Sequence, residues 1–213
     1  MPFNKCLLLA CVVFVSACAI KPSKQSSDNT LSEITKPVAD HSDYARLGLV
    51  TIDSKQRSEF KSALKAIKSK NQNKADAILD GLIAQRPDLE MPIYNKALLV
   101  SKQGDAEQAL SLLSQAHAID PSDYRICNAY GRLLRSEGKF TEAKKVYSVC
   151  LTFEDQSAVV HKNYGILLDL YLHQHELALK HYQTYLSMTG NKDKKVKGWV
   201  LDLNRRLKAG GTQ

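Results

Sequence analysis

Glycine and proline are scarce in this chain, with 10 and 6 residues among 213. A sandwich of short strands needs frequent turns of that chemistry, so the scarcity favours helices. Long apolar runs are also absent. The stretch from Cys6 to Val15 has ten residues, whereas a spanning helix needs about 20. There is no Gly-rich phosphate loop and no HExxH motif. No Ser-His-Asp or Cys-His arrangement can be argued from spacing, and the carboxylates are scattered over helix faces. These absences leave an enzyme reading with little support, and no cofactor is expected. Charge of one sign does not dominate either. Thirty basic residues against 22 acidic ones give a net +8 and an isoelectric point near 9.2. That balance is basic without selecting among nucleic acid, anionic membrane and acidic protein as partner.

What is present is a period. Ala75, Ala109, Ala143 and Ala178 are spaced by 34, 34 and 35 residues, each at the same place in a recurring pattern. Such a period marks stacked repeats. One unit runs from about Glu90 to Asp123. Its first helix is read from Ile93, Ala97 and Val100, its second from Ala109, Leu112, Leu113 and Ala116. Those are one-face patterns, separated by Gly104-Asp105 as a helix stop and start. The next unit, from Tyr124 to about Ser157, repeats the pattern with Tyr130-Gly131, Leu134, Gly138, Phe140, Ala143, Tyr147 and Cys150. A further unit begins near Ala158 with Tyr164-Gly165, Leu168, Ala178, Tyr182 and Tyr185. One extra residue between its helices gives the spacing of 35. A degenerate first unit keeps Ala63, Ala75, Leu79, Leu82 and Pro87, and Tyr44, Leu47 and Gly48 hint at one still earlier.

Taken together, these residues resemble the tetratricopeptide repeat family. Tyr130-Gly131, Tyr164-Gly165, Ala109, Ala143, Ala178, Tyr147, Tyr182, Pro87 and Pro121 match its motif, from roughly Gln56 to Gly190. The resemblance implies an all-α, right-handed superhelix of about four helix-turn-helix repeats. Small residues would let paired helices approach, and aromatics would fill the space between units. A solenoid needs a polar-faced end. Lys194 to Lys208 fits that part, with Val196, Trp199, Val200, Leu203 and Leu207 on one face. The basic cluster around it, Lys192, Lys194, Lys195, Lys197, Arg205, Arg206 and Lys208, reads either as the wet side of this cap or as a contact for an anionic surface.

The amino terminus reads as targeting sequence rather than fold. Lys5, the apolar run and Val15-Ser16-Ala17-Cys18 resemble the signal and lipobox of bacterial lipoproteins. The resemblance implies removal of residues 1–17 and lipidation of Cys18. Ala19 rather than Asp then implies the periplasmic leaflet of the outer membrane. Residues 18–42 are Ser, Asn, Asp, Thr, Lys and Pro-rich and read as a flexible tether. The solenoid is expected over 43–190, and the capping helix and tail over 191–213. Export argues against nucleic acid as partner.

Cys127 and Cys150 fall at facing positions of one predicted helix pair. In an oxidising compartment they read as a disulfide, and otherwise as two buried small side chains. His173-Gln174-His175 is placed in an inter-helix turn, without the further ligands a metal site needs. The family resemblance also implies a concave groove lined by set positions of each first helix. Carried over, these include Phe60, Leu64, Met91, Tyr94, Leu98, Lys102, Arg125, Asn128, Arg132, Arg135 and Lys162, with Asn163 close to Asn128. The implied groove has an apolar entrance and a basic middle. Its expected partner is an acidic and apolar peptide segment of another envelope protein, since Arg clamps carboxylates and Asn satisfies peptide groups. The alternative for Arg125, Arg132 and Arg135 is the solvated face of one helix. The function expected is a lipid-anchored, non-enzymatic scaffold in the class of pilus and secretion assembly factors. A structural subunit of an envelope machine, or an adaptor for peptidoglycan hydrolases or proteases, is the alternative.

Overall fold

The structure, a computed structural model, describes residues 52–153 and 157–210. The readings made for Cys18, the amino-terminal signal, the tether and Tyr44, Leu47 and Gly48 lie outside these residues. Among the described residues the chain is entirely helical, with nine helices. They are α1 Ser54–Lys68, α2 Gln72–Gln85, α3 Glu90–Gln103, α4 Ala106–Ile119, α5 Tyr124–Ser136, α6 Phe140–Cys150, α7 Ala158–Leu170, α8 His175–Met188 and α9 Lys194–Gly210. Successive pairs form four hairpins, each packed on the next, and α9 packs on α8. This is the expected all-α repeat solenoid with a terminal helix. No described helix is long and apolar enough to cross a membrane.

Local chemistry sets the ends of the helices. Asp53 accepts from the Gln56 amide at 2.7 Å, and the Gln56 side chain accepts from the Asp53 amide at 3.3 Å. That reciprocal pair satisfies donors that the first turn of α1 otherwise leaves open. Asn71, Asp105 and Asp123 cap α2, α4 and α5 in the same sense. The turn inside each hairpin holds one residue in the left-handed region: Lys70, Gly104, Gly138 and His173, with φ of 58°, 92°, 74° and 52°. These recur at the same 34, 34 and 35 spacing as the alanines, so the inserted residue of the fourth unit is absorbed before this turn is made.

The motif residues make the packing contacts. Ala75, Ala109, Ala143 and Ala178 are wholly buried. Gly131 lies beneath the ring of Tyr147, and Gly165 beneath that of Tyr182. A Cβ at either position would stand 2.5–2.8 Å or 2.6–3.3 Å from the nearest ring atoms. Each of these rings then meets the following unit, Tyr147 on Tyr164 at 5.5 Å and Tyr182 on Trp199 at 5.2 Å. Trp199 stands 35 residues after Tyr164. Helix α9 therefore stands in the place of the first helix of a fifth unit, and its tryptophan occupies the aromatic position of the preceding two.

The core has two parts. Phe60, Leu79, Ile93, Tyr94, Leu113 and Ile126 lead the first, and Cys127, Leu134, Tyr147, Leu168, Tyr182 and Leu203 the second. Helix α5 contributes to both, and Tyr130 packs against both. Cys127 and Cys150 are joined by a disulfide between α5 and α6, with Cα atoms 6.1 Å apart, within the usual range.

Candidate interaction groove

The first helices α1, α3, α5 and α7 carry the positions singled out for the groove. Helix α5 brings four of them together, because Arg125, Asn128, Arg132 and Arg135 recur every three or four residues along it. Arg125 is half-buried and closes on Asp123, the residue that caps its own helix. Its Nε donates to both Asp123 oxygens at 3.0 Å, and its Nη2 makes the second arm of the fork. Arg132 is 7% exposed, so its guanidinium is held within the wall rather than extended into solvent. Arg135 donates to the Asn163 carbonyl at 3.5 Å and lies over the Tyr171 ring at 5.9 Å. Asn163 in turn donates through Nδ2 to Asn128 Oδ1 at 2.6 Å. An amide ladder thus runs from α5 to α7, and it rigidifies the middle of the groove.

The outer positions behave differently. Lys102 is exposed at the end of α3. Lys162 on α7 donates to Asp193 at 3.1 Å and sits 5.2 Å from the Tyr185 ring centre, tying the groove wall to the cap. Asp193 also accepts from Tyr185 and from the Lys195 and Val196 amides that open α9. Burial opposes its ionisation, but the Val196 amide, the Tyr185 hydroxyl and Lys162 outweigh this and hold the carboxyl down to about 2.

Two expectations need correction. Phe60 and Tyr94 were assigned to an open apolar entrance, yet they are 3% and 6% exposed and belong to the core, as does Met91. For Met91 and Tyr94 the reason is that α3 is covered on nearly every side by its neighbours, whereas Phe60, on α1, packs into the same core cluster. Nor is the middle of the groove purely basic. Asp123 neutralises Arg125, and Glu90, 3% exposed, stands close by. Burial raises the Glu90 carboxyl above its ordinary value, Asp120 and Asp123 add to the rise, and Arg125 opposes it. Burial likewise pushes up the Tyr94 phenol, with Asp123 adding and Arg125 and Arg132 opposing. Sequence reasoning set Asn163 close to Asn128 but gave no site role to Asp123, Glu90 and Asp193. Asp123 left a readable signal, two residues before Arg125 at a helix start, whereas the part played by Asp193 is recognisable only across repeats.

His173 falls where expected, in the α7–α8 turn, whereas His175 already opens α8. His175 Nδ1 is 3.4 Å from Asp169, and Asp169 accepts from Arg206 of α9 at 3.0 Å. No cluster of three or more potential metal ligands occurs among the described residues.

Residues 101–162 match the family model of the tetratricopeptide repeat, and the fold is that of a tetratricopeptide-repeat solenoid. Anaphase-promoting complex subunit 7 of Mus musculus is 34% identical over 83 residues, which span 39% of this chain and 14% of that protein. Solved structures of similar shape include MamA from Desulfovibrio magneticus RS-1, with a TM-score of 0.62 at 14% identity, covering 74% of this chain and 88% of that one. PilF of Pseudomonas aeruginosa gives 0.62 at 18% identity, covering 72% and 69%. PilW, described as a widely conserved type IV pilus biogenesis factor, gives 0.57 at 18%, covering 65% and 64%. At these identities the likeness is one of fold. Tetratricopeptide repeats bind protein partners as a class.

Proposed function

We propose that this chain is a membrane-tethered scaffold that holds a segment of another envelope protein, with acidic and apolar residues, against the face formed by α3, α5 and α7. Lipidated Cys18 is the tether, and the periplasmic leaflet of the outer membrane is the site. The complex served is of the pilus or secretion type, a reading supported by the similarity in fold to pilus biogenesis factors. No catalytic step is assigned to the chain.

The observation that carries the groove reading is the Asn128–Asn163–Arg135 ladder. It sets amide and guanidinium groups in a fixed array across two repeats. Preorganised donors of this kind suit a peptide backbone and its carboxylates, because less ordering entropy remains to be lost on binding. Arg132 stabilises the wall and is a poor site to test, since reversing a buried charge would disturb folding. Asn128→Ala with Arg135→Glu is the informative variant. Crosslinked capture from envelope preparations should lose its specific partners while circular dichroism stays unchanged. Equal capture by a folded variant excludes the groove. The tether is read separately: palmitate labelling should vanish in Cys18→Ser, and labelling that persists would place the acyl chain elsewhere.

A further inference from the structure

Helix α9 presents a second surface, on the opposite side from the residues that dock it. Val196 and Leu203 are buried, Trp199 and Val200 are half-buried against the last repeat, and Leu207 is half-buried. On the outer side stand Lys194, Lys197, Leu201, Arg205 and Lys208, all exposed. Their spacing of 3, 4, 4 and 3 residues confines them to about 80° of arc at the α-helical 100° per residue. The stripe is about 21 Å long at 1.5 Å per residue.

The composition of this stripe is not that of an ordinary wet face. The other two cations of the helix are engaged elsewhere, Lys195 over Trp199 at 5.3 Å and Arg206 with Asp169 and Asp202 at 3.0 and 2.9 Å. Asp202 is the one acid within Lys194–Gly210, and it lies off the stripe in its pair with Arg206. Lys194, Lys197, Arg205 and Lys208 thus align without an anion between them, where neighbours three residues apart repel. In their midst Leu201 is 59% exposed, the most exposed large apolar side chain among the described residues. A polyanion would answer the four cations but offers no apolar depth for Leu201. A bilayer with anionic headgroups answers both.

We propose that this face of α9 lies flat on an anionic phospholipid surface, with the four cations among the headgroups and Leu201 below them. The contact is independent of the groove and of a lipid at Cys18. It would set the end of the solenoid against the membrane and turn the groove in a fixed direction.

The test is co-sedimentation of the full chain with vesicles of phosphatidylcholine containing one third phosphatidylglycerol, against phosphatidylcholine alone. The amino-terminal apolar run is common to every variant, so differences report on α9. Lys197→Ala with Arg205→Ala should weaken partition to the anionic vesicles about 25-fold, or fivefold per cation. Leu201→Ala should weaken it severalfold, and raised salt should remove the preference for anionic vesicles. All three side chains are exposed, and circular dichroism will show that the variants fold. The proposal is overturned if the variants partition like the parent. It is equally overturned if the parent shows no preference for anionic lipid, or if it binds heparin or an acidic polypeptide through these residues while leaving the vesicles in solution.

Discussion

Replacing Gly131 by alanine tests the packing most directly. In an exposed helix interior the change should stabilise by about 1 kcal/mol, since glycine is a poor helix former. Here the added Cβ would lie 2.5, 2.7 and 2.8 Å from three atoms of the Tyr147 ring. Carbon atoms rest at about 3.5–4.0 Å, so the overlap is about 1 Å with each. Tyr147 is wholly buried between α5, α6 and α7, in contact with Tyr164. Its ring cannot swing into solvent, and α5 must move away from α6. Overpacking of this kind costs about 1–3 kcal/mol, and three simultaneous overlaps put the site at the upper end. Setting the gain in propensity against this leaves a net loss of about 2 kcal/mol. Gly81 in α2 has nothing within 4 Å of its would-be Cβ, and Gly81→Ala should gain the full ~1 kcal/mol. Urea denaturation followed by circular dichroism separates the two, which should differ by about 3 kcal/mol. Tyr147→Leu in the Gly131→Ala background should recover part of the loss by making room. If Gly131→Ala stabilises as Gly81→Ala does, the close approach of α5 and α6 described above is wrong.

Other consequences can be measured in the same way. Replacing Cys127 and Cys150 together by serine removes a link across 23 residues and should cost about 3.4 kcal/mol on the chain-entropy relation. In the unreduced, denatured parent neither cysteine should react with a thiol reagent, and two reactive thiols from these positions would exclude the bond. Lys70→Gly and His173→Gly should each stabilise by about 1 kcal/mol by relieving a left-handed backbone, whereas Gly104→Ala and Gly138→Ala should each cost a similar amount; thermal melts check both. Burial, with His161 adding, lowers His181 to about 4, and burial lowers His161 as well. Their Nδ1 atoms are 2.8 Å apart, an arrangement in which one donates and the other accepts. The unfolded chain therefore takes up these protons first. This part of the stability is intact above about pH 6.5 and is lost as pH falls toward 4. His181→Gln should flatten the fall of the urea midpoint across that window, and an unchanged slope would show that the pair does not titrate as described.

Much of the architecture could be read before any coordinates, because repeat folds write local contacts into local sequence. The alanines at 34, 34 and 35 residues, the two Tyr-Gly pairs and the turn glycines concern helices adjacent in the chain, and each repetition strengthens the same inference. The spacing placed His173 in a turn whose other copies hold glycine, whereas the left-handed Lys70 gave no hint by residue type. The facing positions of Cys127 and Cys150 followed from the same count, although spacing left a bond and two buried thiols open.

The groove was less legible. Its positions could be numbered, but numbering does not decide how far a side chain reaches or what already holds it. Phe60 and Tyr94 sit at groove positions and are buried, Tyr94 because neighbouring helices cover α3 and Phe60 because α1 turns it into the same core cluster. Arg125 turns back to Asp123, and Lys162 reaches across to Asp193 beside the cap. Asn128 and Asn163 are 35 residues apart, and only the stacking of α5 on α7 makes them partners. By itself the sequence determined the period, the helix boundaries and the small and aromatic residues that let one hairpin lie on the next, since these depend on neighbours along the chain. Tertiary structure decided which polar groups are spent on one another and which still face outward, since that depends on distances between repeats.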